Sequence, residues 1–202
     1  MKTRFWLRRG LALVRIGFGL GLVAAASLGV QTGWAASSPG YSLANVGPYG
    51  GEPSIVSDSV GQLYDTTPSG GTLTYTSTDR GKTWRAVTTA DPNSGDDCLA
   101  TDQSNAVYLC NLAGSQGVAP LQADVWKSVD HGTTWTHGAG ALPQRATSCS
   151  PFGVDRDWVA ASIPAGGTTN TAEVVRMYHD FYGPSQIWVN ISHDGGATFG
   201  PP

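Results

Sequence analysis

From Glu52 onward, apolar and polar residues alternate in short runs, and clusters of Gly, Ser, Asp, Asn and Pro close each run. Such runs read as strands joined by turns. Glu52–Val56 opens a first unit, Ser57–Gly61 turns, and Gln62–Thr66 returns. Pro68–Gly71 turns again into Leu73–Thr76. Asp97–Thr101, the turn Asp102–Asn105, Ala106–Cys110, a longer loop at Asn111–Ala123 and Asp124–Lys127 repeat that order. Asp155–Ala161, the turn Ala165–Asn170, Glu173–Asp180, the turn Tyr182–Ser185 and Ile187–Ile191 repeat it again. No run here carries the 3.6-residue period of an amphipathic helix. The pattern predicts an all-β chain with repeats at about 51–89, 97–138 and 155–202.

An eight-residue stretch ends the third strand of each unit. It reads Ser77-Thr-Asp79-Arg-Gly81-Lys-Thr83-Trp84, then Ser128-Val-Asp130-His-Gly132-Thr-Thr134-Trp135, then Ser192-His-Asp194-Gly-Gly196-Ala-Thr198-Phe199. Three copies of Ser-x-Asp-x-Gly-x-Thr-aromatic make an internal repeat. Each position has a reason. The carboxylate accepts from backbone N–H groups just ahead of it. Glycine takes a positive φ without steric cost, and the ring opens the next strand against apolar neighbours. The stretch is a hairpin turn, and its chemistry is structural.

The pattern resembles the Asp box, or BNR repeat, of the sialidase-like β-propellers. The resemblance implies a partial β-propeller of about three four-stranded antiparallel blades, the last incomplete, with the boxes on the rim away from any active site. A ring needs roughly four to eight blades, so the sequence is expected to be the N-terminal part of a longer protein.

The start of the chain differs in kind. Lys2, Arg4, Arg8, Arg9 and Arg15 precede an apolar stretch, Ile16–Val30, and Gly33-Trp34-Ala35 offers the small residues a signal peptidase reads. Residues 1–35 are expected to be a secretory leader rather than an uncleaved anchor, exported by the general or the twin-arginine route. Residues 36–202 form the propeller region. Removing the leader takes five of the 12 basic residues and none of the 15 acidic ones, leaving 7 − 15 = −8. That charge argues against nucleic acid and anionic membranes as partners.

Cys98, Cys110 and Cys149 remain. In an oxidising compartment two can pair. Cys98–Cys110 flank a hairpin and are the preferred pair; Cys98–Cys149 is the alternative. No spacing suggests a metal site, and no cofactor is expected. His131, His137, His179 and His193 read as surface residues. Trp84, Trp126, Trp135, Trp158 and Trp188 read as inter-strand core.

In a propeller the innermost strands face the central channel, where ligands bind. Glu52, Asp97 and Asp155 head those strands, and the third repeat adds Arg156 and Asp157. Asp155-Arg-Asp157-Trp158 resembles an Asp-Arg-x-Trp element of secreted Asp-box proteins. Arg156 suits bidentate capture of a carboxylate, and Asp155 or Asp157 suits acid/base work. The plainer alternative is a local ion pair and turn cap. Arg176 and Tyr178 share a strand face and Glu173 takes the other. The family's sialidases use a Tyr nucleophile with a Glu, an Asp acid/base and three arginines. That makes Tyr178 a catalytic candidate and Arg176 a substrate-binding one. The early Arg-Ile-Pro element is missing, since this segment reads Tyr49-Gly-Gly-Glu52-Pro-Ser54. The expectation is a secreted sialidase-superfamily protein, an exo-acting glycoside hydrolase on carbohydrate whose site this sequence does not complete. The alternative is a non-catalytic extracellular propeller binding carbohydrate, peptide or cell-wall material.

Overall fold

The computed structural model describes residues 40, 42–47, 50–69, 71–92, 94–113, 122–138, 154–180 and 186–201. The leader 1–35, Arg145, Cys149 and the turn 182–185 therefore lie outside the described residues. The chain divides into Met1–Ser42 and Leu43–Pro202, and every described strand lies in the second unit. Residues 42–47 carry no regular structure, and Leu43 is fully exposed.

Three antiparallel sheets follow one another along the chain. The first runs β1 (Ser54–Ser57), β2 (Leu63–Pro68), β3 (Thr72–Ser77) and β4 (Arg85–Ala86). The second runs β5 (Asp97–Thr101), β6 (Val107–Ala113), β7 (Gln122–Ser128) and β8 (Thr136–His137). The third runs β9 (Val154–Ser162), β10 (Glu173–Asp180) and β11 (Gln186–Ser192). Each is a meander, so strands adjacent in sequence are adjacent in space. Among the described residues there is no α-helix, only a 3-10 turn at Thr169–Thr171. The first strands lie side by side, β1 against β5 and β5 against β9.

Alternation puts one set of side chains in each seam between sheets. Tyr64, Leu99, Val107 and Leu109 fill the seam between the first and second sheets. Ala100, Tyr108, Cys110, Leu112, Val125, Val154, Val174 and Tyr178 fill the next. The boxes close the hairpins as expected. Asp79 Oδ1 accepts from Thr83 N (2.9 Å) and Ser77 Oγ (2.9 Å), and Asp79 Oδ2 accepts from Thr83 Oγ1 (2.6 Å). Asp130 and Asp194 repeat those contacts. The box Thr hydroxyl and N–H pull the Asp79 and Asp130 carboxyls down to about 2. Gly81, Gly132 and Gly196 hold φ of 79°, 81° and 85°, a region where a side chain is strained.

A second repeated device ties the sheets. Asp58 Oδ1 accepts from Val60 N and Gln62 N, and Tyr64 OH reaches Asp58 Oδ2 at 3.2 Å. Asp102 does the same for Ser104 N, Ala106 N and Tyr108 OH. Each Asp–Tyr pair then meets the next sheet: Tyr64 OH is 2.6 Å from His131 Nδ1, and Thr169 Oγ1 donates to Asp102 Oδ2 at 2.8 Å. His131 is thus half-exposed yet engaged, as is His137, whose Nε2 lies 3.0 Å from Asp124 Oδ2.

Candidate functional site at the heads of the innermost strands

Strand register fixes which residues are equivalent between sheets. Ser57, Thr101 and Ala161 each pair with the residue opposite the box serine. Counting back four from each gives Pro53, Asp97 and Asp157; counting back five gives Glu52, Asp96 and Arg156. The equivalent head residues are therefore Glu52, Asp96 and Arg156, not Glu52, Asp97 and Asp155 as the sequence alone suggests.

These residues share one cleft of about 440 Å³, lined by Glu52, Pro53, Ser54, Asp96, Asp97, Cys98, Arg156, Asp157 and Trp158. Residues from the heads of all three first strands meet there. Asp155 is not among them. A cleft of similar volume lies beside the third box, lined by Val189, Ile191, His193, Asp194, Thr198, Gly200 and Pro201, with a single carboxylate.

Arg156 reaches the cleft through an irregularity. Tyr178 pairs with Asp157 and His179 with Asp155, so Arg156 is an extra residue on β9. It holds φ of 62°. A bulge of this kind re-aims a side chain, and such positions recur beside functional sites. Glu52, with φ of 39°, is also left-handed. Arg156 Nη2 hydrogen-bonds Glu52 Oε1, and Arg156 Nε lies 3.8 Å from Asp96 Oδ2. The guanidinium bond holds the Glu52 carboxyl below its ordinary value. Burial, then the neighbouring Glu52, pushes Asp96 up.

Behind this charged layer lie two buried carboxyls. Burial pushes Asp157 up to about 7, against the opposing bond from Cys110, whose Sγ donates to Asp157 Oδ2 at 3.0 Å. Asp157 is 4% exposed, and its Oδ1 has no hydrogen-bond partner. Burial pushes Asp97 up to about 8, with Asp157, Asp65 and Asp96 adding to the shift. Thr66 sits beside Asp97, but its hydroxyl hydrogen goes to Leu73 O (3.1 Å), so neither Asp97 oxygen receives a donor. Burial thus favours the protonated form of both acids, behind a Glu52 carboxylate and a guanidinium. Neutral acids donate to oxygens and can act as general acids. Trp158, expected in the core, is 42% exposed and forms a wall of the cleft.

The other sequence candidates lie elsewhere. Arg176 is 1% exposed between the second and third sheets. Its Nη1 donates to Ala123 O at 3.0 Å, and its guanidinium stacks 4.0 Å above the Phe199 ring. Tyr178 is fully buried in the same seam, and burial raises its phenol. Neither can touch a ligand in the cleft. Cys98 and Cys110 do face each other across β5 and β6, but both are free thiols. The Cys110 hydrogen goes to Asp157, and Cys98 turns toward Leu99 O. Among the described residues no three His, Cys, Asp or Glu side chains converge as metal ligands, and no helix is long and apolar enough to cross a membrane.

No protein-family model and no curated protein matches the chain. Solved structures do. A protein of unknown function from Dyadobacter fermentans DSM 18053 aligns at 16% identity and TM-score 0.52, covering 73% of this chain and 48% of its own. A Penicillium chrysogenum alpha-L-arabinanase, solved with arabinobiose, aligns at 16% identity and TM-score 0.50, covering 74% and 47%. The chain spans about half the length of both. The fold is similar to that of β-propellers. At this identity the likeness concerns the fold, and function rests on the site.

Proposed function

We propose that the chain is part of an extracytoplasmic, carbohydrate-active β-propeller whose ligand occupies the cleft at the heads of β1, β5 and β9. The observation that carries this reading is the meeting of equivalent residues from three successive sheets in one cleft, with buried carboxyls and an exposed indole. Sugars are bound by opposed hydroxyl donors and acceptors beside an aromatic face. Asp157 is the proposed general acid of a glycoside hydrolase, and Glu52 accepts ligand hydroxyls. The three boxes support kinship with the sialidase-like propellers, with the box residues as scaffold. Sialidase chemistry itself has little support, because Arg176 and Tyr178 are buried and Arg156 is engaged.

Non-catalytic binding is the second reading, favoured by a cleft whose lining among the described residues includes no Tyr and no arginine besides the engaged Arg156. A glycan array followed by glycoside hydrolysis assays on the exported protein separates the two. Hydrolysis should fall as pH rises through about 7 to 8, where Asp157 and Asp97 ionise. Asp157→Asn should abolish turnover while binding persists. Binding without turnover in the wild type selects the second reading. A protein that binds no glycan loses both.

A further inference from the structure

We infer that the cleft selects an uncharged glycosyl unit and turns away uronic and sialic acids. This rests on the carbohydrate reading above and narrows it to a substrate class. An arginine at the head of an innermost strand suggests a carboxylate clamp. The geometry works against that role. Arg156 presents Nη2 to Glu52 and Nε toward Asp96, so the Nε–Nη2 edge of its fork already faces carboxyls from the two preceding sheets. A ligand carboxylate would have to displace Glu52, which stays ionised, and would then lie beside it. Like charges brought together in this way act as a rejection device.

The buried side of the cleft favours the same class. Asp157 Oδ1 is buried and unpartnered, as are both Asp97 oxygens. A second carboxylate would face only further carboxyls there. Trp158 adds an apolar wall that suits a sugar ring face rather than a charge. Glu52 and Asp96 are thus specificity-determining residues, and Arg156 orients them rather than binding ligand.

The test compares matched pairs by calorimetry on the exported protein: lactose against sialyllactose, and galactan against polygalacturonan oligosaccharides. Wild type should bind at least one neutral member, with its acidic counterpart at least about 10-fold weaker. Glu52→Gln removes the competing charge and frees Arg156, so the ratio of acidic to neutral affinity should rise about 10-fold. Arg156→Met guards against a fold defect in the first variant, with melting curves for both. It should widen the gap in favour of neutral ligands. Acidic ligands bound as well as neutral ones by the wild type, or an unchanged acidic-to-neutral ratio in a folded Glu52→Gln, would overturn the inference and leave the carbohydrate reading standing. Failure to bind any glycan would overturn both.

Discussion

Asp102→Ala should be among the most damaging single changes in the chain. The carboxylate is 5% exposed and receives five donors: Ser104 N (2.9 Å), Ser104 Oγ (2.7 Å), Ala106 N (3.1 Å), Tyr108 OH (2.9 Å) and Thr169 Oγ1 (2.8 Å). Burial alone would raise its pKa, yet these donors outweigh it and the shift is downward. Ser104 and Thr169 lie near the surface and can turn to water. Ala106 N and Tyr108 OH are buried and cannot. Each stranded donor costs about 1–3 kcal/mol, so the loss should be about 2–6 kcal/mol, against roughly 5–15 for a whole domain. Urea denaturation followed by tryptophan fluorescence measures it. Adding Tyr108→Phe removes one stranded hydroxyl, so the double variant should be more stable than additivity allows by about 1 kcal/mol or more. The stabilisation is complete above the ordinary Asp pKa and is lost as pH falls through the lower folded value. A loss below about 1 kcal/mol, or strict additivity with Tyr108→Phe, would refute the account of Asp102 as a buried hub.

Two further outcomes follow from the same geometry. Arg176→Met should destabilise the protein by about 3 kcal/mol, since Ala123 O loses a buried charged donor, and leave glycan affinity of the folded protein unchanged; lost affinity at an unchanged melting temperature would put Arg176 in the site. Intact-mass analysis of the exported protein should find an N-terminus near Ala36, and retention of residues 1–35 would mark an anchor instead.

The scaffold was legible in the sequence because its determinants are local. Asp79 reaches only as far as Thr83, so a fixed eight-residue spacing reveals the box. Meander order follows from hairpins between neighbours. The Asp58–Tyr64 and Asp102–Tyr108 pairs carried the same kind of signal, a six-residue spacing in corresponding turns, and could have been found by aligning the first two repeats. The cleft was harder. Glu52, Asp97, Arg156 and Asp157 were visible as acidic or basic strand heads, but Asp96 was not. Simple alternation places Arg156 and Asp157 on opposite faces, and nothing local announces the bulge that turns Arg156 toward Glu52, 104 residues away. Arg176 misled for a related reason. A charged residue in an alternating strand reads as exposed or functional, whereas here a carbonyl of β7 and the Phe199 ring accept it inside a seam. The facing cysteines were seen correctly as neighbours, but the buried carboxyl that takes the Cys110 hydrogen comes from the next sheet.

The register that places Glu52, Asp96 and Arg156 at matching points has an evolutionary consequence. Each repeat contributes one head residue to the mouth of the cleft, and that residue makes none of the box contacts that close its hairpin. Duplicating a repeat therefore copies an intact scaffold together with one free choice of charge. Ligand preference in such a protein can change by single substitutions, one repeat at a time, at positions where hairpin closure exerts no veto.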